Sequence, residues 1–181
     1  MLRSQRSNLD YPGLLEKWLP DPELPPAPSQ QVDPCGFAQL PQNPKGGGYY
    51  SYGTPARGAG QYGIPGTIRL IEDVARQRNG VPFGVGNISL AKGGRFDPHK
   101  SHRNGTDIDI RPLRSDGAGR PADWRQPGYD RAATQALIDA FRASGQVRTI
   151  WFNDPAIKGV RPYPKHNDHF HVSVRSTCPK R

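Results

Sequence analysis

The sequence predicts an α+β fold in which a small antiparallel sheet is flanked by two main helices and long loops. Two segments carry apolar residues at helical spacing, and several short segments have strand-like patterns. The two kinds do not follow the strict alternation of a parallel βαβ sheet. The 21 glycines and 20 prolines make up more than a fifth of the 181 residues, and the mean hydropathy is −0.77. That composition predicts many turns around a modest core.

Residues 1–45 are expected to form a Pro-rich N-terminal arm, and residues 46–181 to form the folded domain. Nine of the 20 prolines lie within residues 1–45, and proline is excluded from helix interiors and central strands. Inside the arm, LLEKWL at 14–19 predicts one apolar helical turn. We favour packing of that turn against the domain over a role as a docking peptide.

The first helix is predicted at 67–79, and a strand, VGNISL, at 85–90. Ile68 and Ile71 lie on one apolar stripe of the helix, and Gly80 follows as a stop signal.

The next strand, TDIDIRP at 106–112, is predicted to be half buried and to present carboxylates. Its residues alternate, so Asp107 and Asp109 share one face while Ile108 and Ile110 share the other. The apolar face is expected to meet the core.

The second helix is predicted at 131–143, with Leu137 and Phe141 on its apolar face. Strands at 147–152 and 169–175 complete the pattern.

The last of these strands carries two histidines on one face. His169 and His171 are two positions apart, so both point away from Phe170 and Val172, which face the core. His166 precedes the strand and is expected to approach from the loop.

Charge and hydropathy argue against two classes of partner. The net charge is +9, but the 25 Lys and Arg residues are scattered and show no helix-turn-helix or zinc-finger spacing, so nucleic acid is not expected. No apolar run approaches the ~20 residues that a membrane span needs. The N-terminal stretch MLRSQRSNLDYPGLLEKWLPDP has no apolar core typical of a signal peptide.

The two cysteines, Cys35 and Cys178, are expected to form a disulfide that ties the arm to the C-terminal tail. In the chain-entropy description, closing so long a loop contributes about 4–5 kcal/mol. A bridge would indicate an oxidising compartment such as the periplasm. The alternative is two unpaired thiols.

All five histidines lie in two short stretches, each leading into a predicted strand. His166, His169 and His171 fall within six positions, and His99 and His102 precede the aspartate-bearing strand. Two imidazoles and one carboxylate suit zinc with an open fourth position for water. Spacing does not decide between the two strand aspartates, and His99 is expected to be an ordinary surface histidine.

Two motifs, SHRNGTDID at 101–109 and HNDHFH at 166–171, resemble the signatures of the LAS-type zinc metallopeptidases. The stretch LAKGGRFDPHKSHRNGTDIDI at 90–110 is most similar to the penicillin-insensitive murein endopeptidases. The resemblance covers roughly residues 46–175 and leaves the arm outside.

The resemblance implies a role for each motif residue. It implies a Zn²⁺ site with His102, Asp109 and His171 as ligands, and so favours Asp109 over its neighbour on the strand. His169 matches the catalytic position and His166 the accessory histidine. Asp107 matches a position without an assigned role. One option is that it orients a metal ligand through a hydrogen bond.

The activity implied is zinc-dependent endopeptidase cleavage of peptidoglycan cross-links, with D-alanyl–meso-diaminopimelate as the expected bond and a metal-activated water as the nucleophile. Two alternatives remain: a zinc D,D-carboxypeptidase that trims terminal D-Ala, and a non-catalytic cell-wall or partner-binding module with a structural metal. Arg95, Arg103 and Arg111 are candidate binders of substrate carboxylates, and plain surface charge is an equal alternative for each.

The expected location is the periplasm or cell wall. Members of the family usually carry a signal peptide, and the closer subgroup carries more cysteines, so this chain departs on both points. A trimmed periplasmic enzyme, a phage lysis protein and an effector of a contact-dependent secretion system are all compatible. An effector would imply a cognate immunity protein as partner.

Overall fold

The computed structural model describes residues 33–78 and 80–180. The predicted turn LLEKWL therefore lies outside the described residues, and the division of the chain at residue 45 stays a prediction. The described strands and helices are β1 Ala38–Gln39, β2 Tyr49–Ser51, β3 Tyr62–Gly63, α1 Pro65–Gln77, β4 Phe83–Val85, β5 Asp107–Ile110, α2 Arg131–Ala143, β6 Val147–Trp151 and β7 Phe170–Val174.

Two sheets and two helices make up the regular part of the described chain, which confirms the α+β class. A five-stranded sheet has the order β2-β4-β5-β7-β6, and β1 pairs with β3 in a small antiparallel ladder. Within the larger sheet β2 and β4 run parallel, and the other pairs are antiparallel. The sheet is thus mixed, with an antiparallel part formed by the strands predicted to carry the site.

The strand predicted at 85–90 is misplaced. The structure forms β4 over Phe83–Val85, so the prediction and the strand share only one residue. Beyond it, the backbone bonds to two different segments, the one at residues 60–62 and strand β5, instead of forming one ladder. The N–H of Gly86 donates to Asp109, the N–H of Ile88 donates to Gly60, and the carbonyl of Ser89 accepts from Tyr62. Apolar alternation marks this segment as buried but does not fix its partner.

The core lies where the helices meet the apolar face of the sheet. Phe141 of α2 contacts Phe83 and Phe170 edge-on, with ring centroids 5.8 and 6.3 Å apart. At the start of α2, the carboxylate of Asp130 accepts a hydrogen bond from the N–H of Ala133, which caps the helix. The fully buried apolar side chains include Leu70, Ile71, Phe83, Ile108, Ile110, Leu137, Ile138, Phe141 and Phe170.

Strand β5 is more deeply buried than its alternating pattern predicts. All four residues of Asp107–Ile110 are buried, the carboxylates as well as the isoleucines. The apolar side chains lie against the core, and the polar ones are covered by histidines on the opposite face. The predicted half-buried strand is therefore corrected to a strand buried on both faces.

Cys35 and Cys178 form the expected disulfide, with their Cα atoms 5.5 Å apart. The bridge closes a loop of 143 residues and ties the segment before β1 to the tail after β7. Neither described helix combines the length and apolar character that a bilayer crossing requires.

Candidate metal centre

Strands β5 and β7 bring the two motifs together. They are antiparallel neighbours, and their register places Asp109 opposite His171 and Asp107 opposite Ser173. Since side chains alternate along each strand, these four project to the same face of the sheet. Register alone thus joins residues that are more than 60 positions apart in sequence.

One carboxylate oxygen of Asp109 is the meeting point of the histidines. Oδ1 lies 3.1 Å from His102 Nε2, 3.0 Å from His171 Nδ1 and 3.7 Å from His169 Nε2. Burial alone would raise the pKa of Asp109, but attraction to His102 and hydrogen bonds with His102 and His171 hold that pKa well below its ordinary value. The carboxylate is therefore ionised and surrounded by imidazole nitrogens.

His102 is held so that one particular nitrogen faces Asp109. The side chain is 2% exposed, and its Nδ1 lies 3.1 Å from the carbonyl oxygen of Ile88. A carbonyl only accepts, so Nδ1 carries the proton and donates it. Nε2 is then the nitrogen that faces the carboxylate oxygen, and a cation or a proton is needed between these two atoms.

His171 has a matching arrangement on the other side. Its Nε2 lies 3.1 Å from Asp107 Oδ1, which also accepts a hydrogen bond from the hydroxyl of Ser173 at 2.6 Å. Burial would lower the pKa of His171, but the hydrogen bonds to Asp107 and Asp109 outweigh it and raise that pKa to about 9. With Nε2–H donated to Asp107, Nδ1 is the nitrogen that faces Asp109.

Sequence reasoning missed His99 as a member of the site. Its ring lies 4.6 Å from that of His102, and His99, His102 and Asp109 offer ligand atoms within 4.8 Å of one another. Nε2 of His99 also lies 2.8 Å from the amide nitrogen of Asn87. Burial and the nearby His102 lower the pKa of His99. The only sequence signal was its position three residues before His102, in the same turn.

His166 and His169 complete the histidine group at the start of β7. The Nδ1 of His169 lies 2.9 Å from a carboxylate oxygen of Asp168, while the Nδ1 of His166 lies 2.9 Å from the carbonyl oxygen of Pro164. The two rings are 4.7 Å apart. Burial lowers the pKa of His166.

A cleft of about 550 Å³, here called the histidine cleft, contains all five histidines of the chain in its lining, together with Asp109. Aromatic rings support its walls. The Trp151 ring lies 4.7 Å from that of His171, and the Tyr163 ring lies 5.4 Å from that of His166. The strand and loop patterns did not point to either aromatic residue.

The donor atoms around Asp109 fit a metal ion. Zinc binds histidine nitrogen and carboxylate oxygen at about 2.0–2.2 Å in tetrahedral geometry, which places neighbouring ligand atoms about 3.3 Å apart. The separations of 3.0 and 3.1 Å from Asp109 Oδ1 are close to that value. His99, His102 and Asp109, with ligand atoms all within 4.8 Å of one another, form a His/His/Asp group that could hold a metal ion, and the ligand types alone do not select the metal.

The chain is similar to a curated protein. No protein-family model matches the chain. The chain is 32% identical over 151 residues to the penicillin-insensitive murein endopeptidase of Haemophilus influenzae. The aligned region covers 65% of this chain and 52% of that protein. The chain thus spans about half the length of the curated relative that it matches. This similarity confirms the resemblance to the murein endopeptidases that the two sequence motifs indicated.

Proposed function

We propose that the protein is a zinc-dependent peptidoglycan endopeptidase that hydrolyses peptide cross-links by means of a metal-activated water. One observation carries the proposal. Asp109 Oδ1 lies within 3.1 Å of a nitrogen of His102 and of His171, and two further histidines lie beside them in the same cleft. A structural metal would not need those additional titratable groups.

The proposed ligands are His102 through Nε2, Asp109 through Oδ1 and His171 through Nδ1. The carbonyl of Ile88 and the carboxylate of Asp107 hold the other ring nitrogens, as partners of metal-bound histidines do elsewhere. Zinc held there would lower the pKa of a water towards ~7 and polarise the scissile carbonyl.

His99 is the alternative third ligand. It is near enough, but its Nε2 is engaged by the side-chain amide of Asn87. In the proposed assignment His99 flanks the metal and supports the orientation of His102.

His169 is the proposed general base and acid. Asp168 accepts a hydrogen bond from its Nδ1, which leaves the Nε2 lone pair directed towards Asp109. From that position His169 accepts the proton of the attacking water and passes it to the leaving amine. Asp168 is then a positioning residue, because it fixes the tautomer and the ring plane of His169.

His166 is proposed to stabilise the developing oxyanion or to share the proton relay. Since its Nδ1–H donates to the carbonyl of Pro164, Nε2 is the nitrogen available to the cleft. Donation from Nε2 to an oxyanion requires the doubly protonated ring.

The proposed substrate is peptidoglycan cleaved at D-alanyl–meso-diaminopimelate cross-links, and the proposed place of action is the periplasm or cell wall. The net charge of +9 suits a substrate whose stem peptides carry free carboxylates. The disulfide between Cys35 and Cys178 suits an oxidising compartment. An immunity protein stays a prediction tied to delivery as an effector.

Digestion of cross-linked peptidoglycan, with and without a chelator, tests the proposal. The expected result is conversion of muropeptide dimers to monomers that stops when the metal is removed. Intact dimers with shortened monomer stems would identify a carboxypeptidase instead. Unchanged muropeptides in the presence of stoichiometric bound metal would favour the non-catalytic binding module.

A further inference from the structure

A second depression, here called the basic groove, lies beside the histidine cleft and is rich in cationic side chains. It has a volume of about 540 Å³. Its lining includes five cationic residues, Lys100, Arg103, Arg148, Arg175 and Lys180. All five are exposed at the surface.

The basic groove is continuous with the histidine cleft. Lys100, Ser101 and Trp151 line both of them. One extended ligand could therefore occupy both depressions at the same time. Since the histidine cleft holds the reacting part of the proposed substrate, the basic groove is placed to hold a neighbouring part of it.

In the part of the chain that the structure describes, no carboxylate neutralises the charges of the basic groove. Elsewhere, arginines pair with aspartates, as Arg114 does with Asp116 at 2.8 Å. Within residues 33–78 and 80–180, none of the five groove cations has a carboxylate within ion-pair distance. Among the described lining residues Asp107 alone carries a carboxylate, and it is already bonded to His171 and Ser173.

The positive band continues past the groove along β6. A further depression of about 390 Å³ shares Arg148 and Arg175 with the groove and adds Arg142 and Arg161. No acidic residue lines it. An acidic chain leaving the histidine cleft would thus meet arginines over two adjoining surfaces.

The disulfide fixes one wall of the basic groove. Cys178 lies in the lining, and its bridge to Cys35 anchors the tail between Arg175 and Lys180. At its base, Arg175 Nη1 donates to the carbonyl of Gly145 at 2.8 Å. An anchored wall loses less entropy when a ligand binds than a free tail would.

We propose that the basic groove binds the free carboxylates of an acidic stem peptide while the scissile bond lies in the histidine cleft. This inference rests on the proposed function and names the part of the substrate that the groove holds. Of the three arginines suggested by the sequence as carboxylate binders, Arg103 lies in this groove. Arg95 is paired with Asp97, and Arg111 stacks on Tyr52 at 3.8 Å.

The test compares the groove variants Arg103→Gln and Arg148→Gln, alone and combined, with Arg69→Gln. Arg69 is an exposed arginine of α1 that lines neither depression. Arg69→Gln therefore removes the same charge as each single groove variant, but at a site outside both depressions. Each protein is assayed on a muropeptide dimer with free carboxylates and on the same dimer with those carboxylates amidated.

The expected result is an increase in KM of about 10-fold for each groove arginine on the free-carboxylate dimer, with kcat within about twofold. With the amidated dimer, the unaltered protein should already have a high KM. The double variant should raise that KM little further. Arg69→Gln should match the unaltered protein on both. Equal KM changes on the two dimers, or no difference from Arg69→Gln, would overturn the proposal.

Binding of an uncleaved stem tetrapeptide, measured by calorimetry, separates this inference from the proposed function. If the unaltered protein cleaves neither dimer, the endopeptidase proposal fails, and the groove is judged on binding alone. Loss of tetrapeptide binding in the double variant would then support the groove. Tighter binding of a glycerol phosphate oligomer than of the tetrapeptide would overturn the assignment to peptide carboxylates.

Discussion

Asp109 and His171 lie opposite each other in the ladder of β5 and β7, with Oδ1 of the first 3.0 Å from Nδ1 of the second. Each belongs to a different sequence motif, and the pairing of the two central strands brings the motifs into contact. A metal ion held by both would therefore link the middle of the sheet. Metal occupancy and folding stability are expected to rise and fall together.

The first prediction separates metal ligands from the base. We expect His171→Ala to lose bound zinc and activity together, because it removes a ligand. We expect His169→Ala to keep zinc and lose turnover by about 10²–10⁴-fold, the usual contribution of acid–base catalysis. Elemental analysis of the purified variants and initial rates on a muropeptide dimer measure the two effects.

His99→Ala serves as the comparison in that experiment. With the proposed ligands it should retain zinc, since His99 is engaged by Asn87. Loss of zinc in His99→Ala and retention in His171→Ala would assign the ligand position to His99. Loss of zinc from His169→Ala would refute its assignment as base.

Much of the fold and the site was predictable because local patterns dominate there. Helix α2 occupies the predicted residues, and β5 lies within the predicted strand, since period 3.6 and period 2 are clear in both. His169, immediately before β7, and His171 within it line the same cleft, in keeping with the predicted alternation. The segment at 85–90 failed because its burial comes from loops whose partners are remote in sequence.

The missed parts of the site depend on tertiary structure. His99 enters it through a turn that folds back towards His102, and Trp151 enters through the pairing of β6 with β7. The basic groove likewise combines a loop, a strand and the tail. Single-sequence patterns do not encode which loops meet, so these contacts could be found only in the folded chain.

The second prediction concerns the support of His171 by Asp107. Asp107→Asn keeps the shape but weakens the acceptor that orients the ring and raises its basicity. We expect zinc affinity to fall by about 10–100-fold, measured by competition with a chromophoric chelator. Asp97→Asn, a change at an exposed aspartate paired with Arg95, is the control and should leave affinity unaltered. Equal affinity in Asp107→Asn and the unaltered protein would contradict this support.

The third prediction concerns the disulfide. Replacing both Cys35 and Cys178 by Ser should lower the free energy of unfolding by up to about 4–5 kcal/mol, because the unfolded chain regains the freedom of a long loop. Urea unfolding measures the change. A reductant should lower the free energy of unfolding of the unaltered protein by a similar amount. It should leave the free energy of unfolding of the double variant unchanged. A double variant as stable as the oxidised protein would show that the bridge adds no stability.

The fourth prediction is a pH dependence of stability that arises from Asp154. This side chain is fully buried and accepts hydrogen bonds from Tyr129 and Arg131, both at 2.8 Å, and from the N–H of Ala156. Burial would raise the pKa of Asp154, but the hydrogen bonds from Arg131, Ala156 and Tyr129 outweigh it and lower that pKa. Folding therefore favours the ionised carboxylate.

Because the folded pKa of Asp154 lies below the unfolded value of about 3.9, its contribution is complete above that value and is lost as the pH falls towards the folded pKa. Asp154→Asn should cost about 2 kcal/mol at pH 7, since Arg131 is half exposed and stays solvated. Urea unfolding at pH 7, 5, 4 and 3 should show that cost shrinking below pH 4. The control Asp139→Asn, at an exposed site on α2, should stay within about 0.5 kcal/mol throughout. A cost for Asp154→Asn that is constant down to pH 3 would contradict the assignment, because protonation of Asp154 would then leave its contribution intact.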